Sequence, residues 1–213
     1  MDLDAVSDLD AQGRFMSKLE SQGRLDRTVE GLPDTALLAE RAQARRGLAR
    51  PEEAVLLAYG KLELSQDMVA TSAPDDPYFE AVLEGYFPKG LRKYDQVLSR
   101  HRLRREIIAT VVANDIINKC GPSFPGRLMA AASCDARALI VGYEAAKAVL
   151  DLPRLWGAVA ALDSKVPGDI PASGQMALFK RLVYTLRGET FWLARRAGRE
   201  NLGVGDLIRR YEP

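Results

Sequence analysis

Residues 101–118 (HRLRREIIATVVANDIIN) constrain the fold more than any other part of this chain. A basic start leads into a segment that is apolar at most positions. At about 100° per residue, its apolar side chains form two strips on roughly opposite sides of a helix. One strip holds Leu103, Ile107 and Val111, and the other holds Ile108, Val112 and Ile116. A helix that is apolar on two sides is stable only when it is surrounded, so the segment predicts the central helix of a helical domain.

The β-branched residues at 107–112 also fit a buried strand, which is the alternative to a helix here. A buried parallel strand needs neighbouring strands and crossover connections. No segment nearby offers a partner strand or a crossover of that kind. We therefore predict a helix.

The polar residues of this segment form our candidate site. Asn114 and Asn118 fall on the first strip, one turn apart. A buried amide without a partner costs about 1–3 kcal/mol, so we expect each asparagine to bond to a neighbouring helix or loop. The candidate polar cluster comprises His101, Arg104, Arg105, Asn114, Asp115 and Asn118. Structural hydrogen bonding is the main interpretation, and contact with a ligand or a partner is the alternative.

Prolines and glycines separate the helical patterns in the rest of the chain. Pro51 suits the first position of a helix, and Asp75-Asp76 before Pro77 is typical of helix capping. The helix after Pro51 is expected to bury one stripe, and a helix at 175–197 is expected to bury a seam, with a polar loop at 163–174 before it. The stripe is Val55, Tyr59, Leu62, Gln66 and Val69, and the seam is Met176, Phe179, Val183, Leu186, Thr190, Leu193 and Ala197.

Eight or nine helices and no convincing alternating strand predict an all-α, multi-helical bundle without a dinucleotide-binding sheet. We expect an N-terminal helical segment at 1–48, partly lying on the surface, and the main helical bundle at 49–197. The tail at 198–213 contains three glycines and is expected to fray or fold back.

The aromatic residues divide into core and contact residues. Trp156 and Trp192, each next to a leucine, are predicted to lie in the core. Tyr184 lies between Arg181 and Arg187 and is predicted to be exposed. The other aromatic residues that we expect to be exposed, and to supply contacts to a partner, are Tyr78, Phe79, Tyr86 and Phe87.

Composition narrows the function classes. Thirty basic residues against twenty-nine acidic ones give a formal net charge of +1, which argues against a nucleic-acid binder. The basic run at 100–105 keeps an RNA or DNA binder as the weakest alternative. Two cysteines and one histidine are too few for a Cys/His metal site or a disulfide framework. The acidic start lacks a signal-peptide layout, and no apolar run approaches the ~18 residues of a membrane span. We expect a soluble, cytoplasmic protein without a membrane partner.

No catalytic motif emerges from the residues. Gly203-Val204-Gly205 is the nearest approach to a nicotinamide-binding fingerprint, but it lacks the third glycine and follows no predicted strand. Residues 121–126 contain two prolines and no Lys-Ser or Lys-Thr, so they do not form a phosphate loop. His101 lies among arginines and is expected to be a surface residue at the start of a helix.

Several strings of the chain, in this order, resemble the C-terminal helical region of the large bacterial NAD-specific glutamate dehydrogenases. They are 23–33 (GRLDRTVEGLP), 50–59 (RPEEAVLLAY), 75–78 (DDPY), 86–88 (YFP), 101–118 and 162–167 (LDSKVP). The resemblance covers about 13–193. Ala49 departs from the family pattern, which tends to have Ser or Thr there, and so removes a polar group near the start of the helix.

The resemblance implies an accessory domain of an enzyme that converts L-glutamate and NAD to 2-oxoglutarate and ammonia. The catalytic lysine, the catalytic aspartate and the glycine fingerprint of that family lie in its core, and no position here matches them. We therefore expect no catalytic, cofactor-binding or metal-binding residue in this chain, with NAD serving the parent enzyme. The implied partners are the catalytic core of the same polypeptide and further copies in a homo-oligomer. A free-standing helical module for a peptide or small ligand is the alternative.

Overall fold

The computed structural model describes residues 2–162 and 172–211, and these residues form helices without a single strand. The predicted all-α fold is confirmed. Eleven α-helices lie in the described ranges, more than the eight or nine predicted, because short segments between prolines also form helices. The α-helices are α1 (Asp2–Ser21), α2 (Thr35–Gln43), α3 (Arg50–Val69), α4 (Glu80–Tyr86), α5 (Asp95–Ser99), α6 (Arg104–Cys120), α7 (Phe124–Ala132), α8 (Ala136–Val149), α9 (Leu152–Ala160), α10 (Ala172–Glu200) and α11 (Val204–Tyr211). Short 3₁₀ helices lie at Ala73–Asp75, Pro77–Phe79 and Lys89–Tyr94.

The helix at the centre of the bundle is α8, whose residues 138–146 are all buried. Helices α3, α7, α9, α10 and α11 pack around it. The sequence pattern assigned this place to residues 101–118, which form α6 as predicted but bury only one broad side. That side carries the strip of Ile108, Val112 and Ile116, whereas Leu103 on the other strip is exposed. Burial of α6 on most sides was therefore a wrong expectation.

Small residues set the distance between α8 and α10. A Cβ atom placed on Gly142 of α8 would lie 2.5 Å from the backbone nitrogen of Ala194 in α10 and 2.7 Å from its Cα. One turn away, a Cβ on Gly198 would lie 3.4 Å from Cβ of Ala138. The two backbones therefore pack in direct contact, as closely as a glycine allows.

The buried face of α3 differs from the predicted stripe. The structure buries Leu56, Gly60, Glu63, Leu64 and Met68, a face displaced by about one residue, and leaves Leu62 54% exposed. Gly60 and Glu63, neither of which is a large apolar residue, explain the shift of the buried face. Gly60 admits the ring of Pro122, since its Cβ would lie 3.1 Å from that of Pro122, and Glu63 pairs with Arg24 and Lys18.

The N-terminal segment has a hydrophobic cluster of its own, which is completed by Leu56 of α3. Its other buried members are Leu9, Met16, Leu19, Leu25, Leu32 and Leu38. Arg27 is buried in the connection after α1, where it donates to Glu20, Ser17 and the carbonyl of Pro33. The boundary between residues 48 and 49 stays a prediction.

The C-terminal part of the chain folds back onto the bundle. Val204 and Leu207 of α11 are fully buried, and α11 packs against α8. In α10 the predicted seam is buried only in its second half, at Leu186, Thr190, Leu193 and Ala197, while Met176 is exposed. Residues 172–174, predicted as the end of the loop at 163–174, belong to α10, and residues 163–171 lie outside the described residues.

The start of α3 offers a test of the missing cap. Ala49 occupies the N-cap position with extended backbone (φ −72°, ψ 155°) and no side-chain acceptor, and the Glu52 carboxylate accepts a hydrogen bond from the Ala49 N–H at 2.6 Å. We expect Ala49→Ser to raise the free energy of unfolding by about 1 kcal/mol, because the hydroxyl oxygen would accept from a free N–H of the first turn. Urea denaturation measures the change, and Ala49→Val, which adds no acceptor, should give no gain. Equal stability of the serine and valine variants would contradict the prediction.

Candidate functional site

The structure separates the six residues of the predicted polar cluster into two groups along α6. Arg104 and Arg105 lie in its first turn, and His101 precedes it. Asp115 is eleven residues from Arg104, which is roughly 16 Å along the helix axis at 1.5 Å per residue. The six residues therefore do not share one site.

The group at the start of α6 ties this helix to the end of α3. The Arg105 guanidinium pairs with Asp75 and donates to the carbonyls of Val69, at 2.9 Å, and Thr71, at 2.6 Å. Arg104 also approaches Asp75, at 3.6 Å. Val69 is the last residue of α3 and Thr71 follows the helix, so neither carbonyl has a partner within it. The group thus closes the C-terminus of α3.

His101 has structural contacts as well. Its Nδ1 accepts a hydrogen bond from the Leu103 N–H at 3.2 Å, and its ring lies 5.6 Å from that of Phe87 in an edge arrangement.

Asp76, which follows Asp75, caps the N-termini of two helical elements. The Asp76 carboxylate accepts from the Tyr78 N–H at 3.0 Å and from the distant Val204 N–H at 2.9 Å, at the start of α11.

Asp115 is the centre of the second group, which also includes side chains from α8. The Tyr143 hydroxyl donates to its carboxylate at 2.9 Å, and Lys147 Nζ donates at 3.2 Å. Lys119, one turn along α6, pairs with the same carboxylate. Asn114 is half-buried and Asn118 is exposed. Among the described residues neither side chain has a hydrogen-bond partner, so the bonds expected from the two asparagines stay a prediction.

Glu144 and Lys147 are members of this group that sequence reasoning missed. The Glu144 side chain is only 2% exposed and pairs with Lys147 at 2.7 Å. A charged pair three residues apart, within an otherwise apolar helix, is the sequence signal that was available. Lys119 also lies 4.3 Å from the centre of the Trp156 ring, which is partly buried against the core. We call Asp115, Lys119, Tyr143, Glu144 and Lys147 the Asp115 cluster.

Electrostatic coupling fixes the protonation states in the Asp115 cluster. Burial alone would raise the pKa of Asp115, but Lys147, Lys119 and the Tyr143 hydroxyl together hold it below the usual value. Burial would lower the pKa of Lys147, and the carboxylates of Glu144 and Asp115 raise it instead. The pKa of Tyr143 is raised by burial and by Asp115, so its hydroxyl stays protonated and donates. Burial raises the pKa of Glu144, and Lys147 opposes this rise. Each carboxylate of the group thus pairs with a lysine, and the contacts of Asp115 join α6 to α8.

The two cysteine thiols are not activated as nucleophiles. Burial raises the pKa of the Cys120 thiol to about 12 and that of the Cys134 thiol to about 11, so both stay protonated near neutral pH. Over the described ranges, no three metal-binding side chains of the His, Cys, Asp or Glu type come together. Within the same ranges, no helix has the length and apolar character that crossing a membrane requires.

The residues nearest to a nucleotide fingerprint do not fit a dinucleotide. The N–H of Gly203 donates to Asp206 at 3.0 Å, and that of Val204 donates to Asp76 at 2.9 Å. A Cβ on Gly203 would lie 2.8 Å from an Asp76 carboxylate oxygen. Two carboxylates thus occupy the place where a helix N-terminus would hold a phosphate.

Two of the predicted aromatic positions are reversed in the structure. Trp192, expected in the core, is 63% exposed, and Phe79, expected at the surface, is 0% exposed. The pattern misled because Trp192 is next to Leu193, which takes the buried position, and Phe79 directly precedes α4 and packs inward. Tyr86 and Tyr184 are exposed as predicted. Tyr78 and Phe87 are partly buried against the core.

Comparison with known proteins shows the family to which this chain belongs. A family model described as glutamate dehydrogenase, C-terminal, matches residues 45–213. The chain belongs to this family. Among the proteins that are similar to this chain are three NAD-specific glutamate dehydrogenases. The protein of Halomonas elongata is 37% identical over 99% of the chain, that of Pseudomonas aeruginosa is 37% identical over 85%, and that of Mycobacterium tuberculosis is 30% identical over 97%.

These relatives are much longer than the chain. It spans 13% of the Halomonas elongata protein, 11% of the Pseudomonas aeruginosa protein and 12% of the Mycobacterium tuberculosis protein. The part of each relative with which the chain aligns is thus small.

Proposed function

We propose that this chain is the C-terminal accessory region of a cytoplasmic NAD-dependent glutamate dehydrogenase, in which it packs against the catalytic core and helps to build the homo-oligomer. The parent reaction would convert L-glutamate and NAD to 2-oxoglutarate and ammonia, with NAD bound by the core. The observation that carries the proposal is the alignment of nearly the whole chain with about an eighth of several NAD-specific glutamate dehydrogenases.

The interior chemistry supports an accessory role. The Asp115 cluster uses its charges to join α6 to α8, and the Asp75 pair closes the end of α3. Both cysteine thiols are protonated near neutral pH. The polar groups that could have served catalysis thus hold helices together.

The surface supports docking. Large hydrophobic side chains that remain exposed on this chain include Val29, Leu62, Tyr86, Val97, Tyr184 and Trp192. The aromatic side chains among them are of the types that are enriched in protein interfaces. The formal net charge of +1 means that positive and negative charges nearly balance, which suits contact with a neighbouring domain.

Hydrogen–deuterium exchange tests the docking role. We expect peptides on at least one exposed face to exchange more slowly in the full-length dehydrogenase than in the isolated 213-residue chain, because docking excludes water from that face. The buried peptide around 138–146, which is protected in both, is the internal control. Equal exchange at every exposed peptide would contradict docking and favour a free-standing binding module.

An activity assay tests the absence of catalysis. The isolated chain, mixed with L-glutamate and NAD, is expected to produce no NADH above a protein-free control. The full-length dehydrogenase under the same conditions is the positive control. A measurable rate from the isolated chain would show that the accessory assignment is wrong.

A further inference from the structure

A groove of 530 Å³ lies between α8, α10 and α11, beside the exposed Trp192. Val149, Leu150 and Leu193 contribute apolar lining, while Trp192 and Tyr211 add aromatic rings. We call this the Trp192 groove. Its lining includes tryptophan, tyrosine and arginine side chains, the three residue types that are enriched among those that dominate binding at protein interfaces.

The charges that line the Trp192 groove are mainly positive. Arg195, Arg196 and Arg199 line it together with one carboxylate, Glu189. Arg196 is already paired, because it donates to Glu200 at 2.7 Å and to the Tyr211 hydroxyl at 3.1 Å, although Glu200 also pairs with Arg210.

Within the described part of the chain, neither Arg195 nor Arg199 pairs with a carboxylate. The Arg195 guanidinium lies 5.8 Å from the Trp192 ring centre and 5.5 Å from that of Phe191. Both arginines also border an adjoining depression beside Asp135. That carboxylate accepts a hydrogen bond from the Ala138 N–H at 2.8 Å and caps α8.

We propose that the Trp192 groove binds an acidic segment from the remaining part of the dehydrogenase polypeptide, with an apolar side chain of that segment against Trp192. This inference rests on the proposed function, since it names the site through which the accessory region docks. Carboxylates of the segment would pair with Arg195 and Arg199, which present planar donor groups suited to them. The apolar lining would bury the neighbouring side chain and the indole ring.

Photo-crosslinking in the full-length dehydrogenase tests the assignment. Trp192 is replaced by p-benzoylphenylalanine, the enzyme is irradiated, and the crosslinked peptides are sequenced by mass spectrometry. We expect one dominant product, with a peptide from outside this chain that carries more Asp and Glu than Lys and Arg. The same photoreactive residue at Leu62, which is also exposed but lies on α3, should not give that product.

Charge reversal tests the arginines. Arg195→Glu combined with Arg199→Glu, in the photoreactive enzyme, is expected to lower the yield of the product at least about tenfold, since interface arginines are among the residues that dominate binding. Arg100→Glu with Arg102→Glu is the matched control, because it reverses two exposed arginines far from the groove along the chain and should leave the yield unchanged. Thermal unfolding of the isolated chain should be the same for both double variants.

Several results would overturn the assignment. No crosslink from position 192, a crosslink to a basic or neutral peptide, or a crosslink to a second copy of this chain would each exclude an acidic segment in the groove. An equal loss of yield in both double variants would also do so. If exchange protection in the full-length enzyme then persisted on another face, docking would stand and only the groove would be wrong. If no face were protected, the proposed function itself would fail.

Discussion

Gly142→Val is expected to prevent α8 and α10 from packing and to leave the chain largely unfolded. A Cβ at this position would lie 2.5 Å from the backbone nitrogen of Ala194 and 2.7 Å from its Cα, so the obstacle is backbone that cannot rotate away. Overpacking of a tight core costs about 1–3 kcal/mol even for small additions and can cost more. Because α8 packs against helices from most of the bundle, the displacement would spread through it. Circular dichroism and chemical denaturation measure the loss.

Alanine at three glycines gives a graded form of this test. Gly142→Ala should destabilise by about 1–3 kcal/mol or more, through the same contact. Gly188, on the exposed side of α10, has open space around it, so Gly188→Ala should stabilise by about 0.5–1 kcal/mol, the normal gain in a helix. Gly198→Ala would meet Ala138 at an ordinary 3.4 Å and should change stability little. If Gly142→Ala and Gly188→Ala had the same sign, the close approach of the two helices would be disproved.

Asp115→Asn is expected to lower the free energy of unfolding by about 2–3 kcal/mol at neutral pH. Removing one partner of a fully buried ion pair costs about 3–5 kcal/mol, and the Asp115 side chain keeps 28% exposure, which moderates the loss. Lys119 and Lys147 would both lose a carboxylate, and Lys147 would keep only Glu144. Urea denaturation of the variant and the parent chain gives the difference.

The same substitution should change how stability depends on pH. The pKa of Asp115 in the folded chain lies below the ordinary value of about 3.9. Its carboxylate therefore contributes stability above about pH 4, and this contribution is lost as the pH falls through the lowered pKa. We expect the difference between the parent chain and Asp115→Asn to shrink as the pH falls below about 4. A difference that stays constant through that range would show that Asp115 does not provide it.

An exposed ion pair supplies the control for Asp115. Asp151 pairs with Arg154 three residues away, and both side chains are more than half exposed. Asp151→Asn should cost less than about 1 kcal/mol, because exposed pairs gain little over solvation. An equal cost for Asp115→Asn would mean that the Asp115 cluster contributes no more than a surface contact.

Periodicity and capping rules were sufficient to find the helices, since these depend on residues close together in sequence. The helix predicted within 101–118 is α6, which spans Arg104–Cys120, and Pro51 lies in the first turn of α3. The same rules misplaced the faces of some helices. They passed over Gly60 and Glu63, because neither is a large apolar residue, although both contact other elements in the buried face of α3.

The candidate site depended on contacts that no local pattern contains. Asp115 was identified, but its partners Tyr143 and Lys147 lie 28 and 32 residues further along the chain. Trp192 could not be placed at the surface from sequence, because the choice between it and Leu193 depends on which side of α10 faces α8. Only tertiary packing decides such a choice between adjacent apolar residues.

The backbone contact at Gly142 also governs how this region can move. Sliding α8 along α10 would carry bulkier neighbours into a gap that accepts no more than a hydrogen atom. The pair must therefore rotate or shift as one rigid body, and a force that tilts one helix tilts the other. A displacement transmitted through this pair would therefore change the orientation of both helices together and would not bend one against the other.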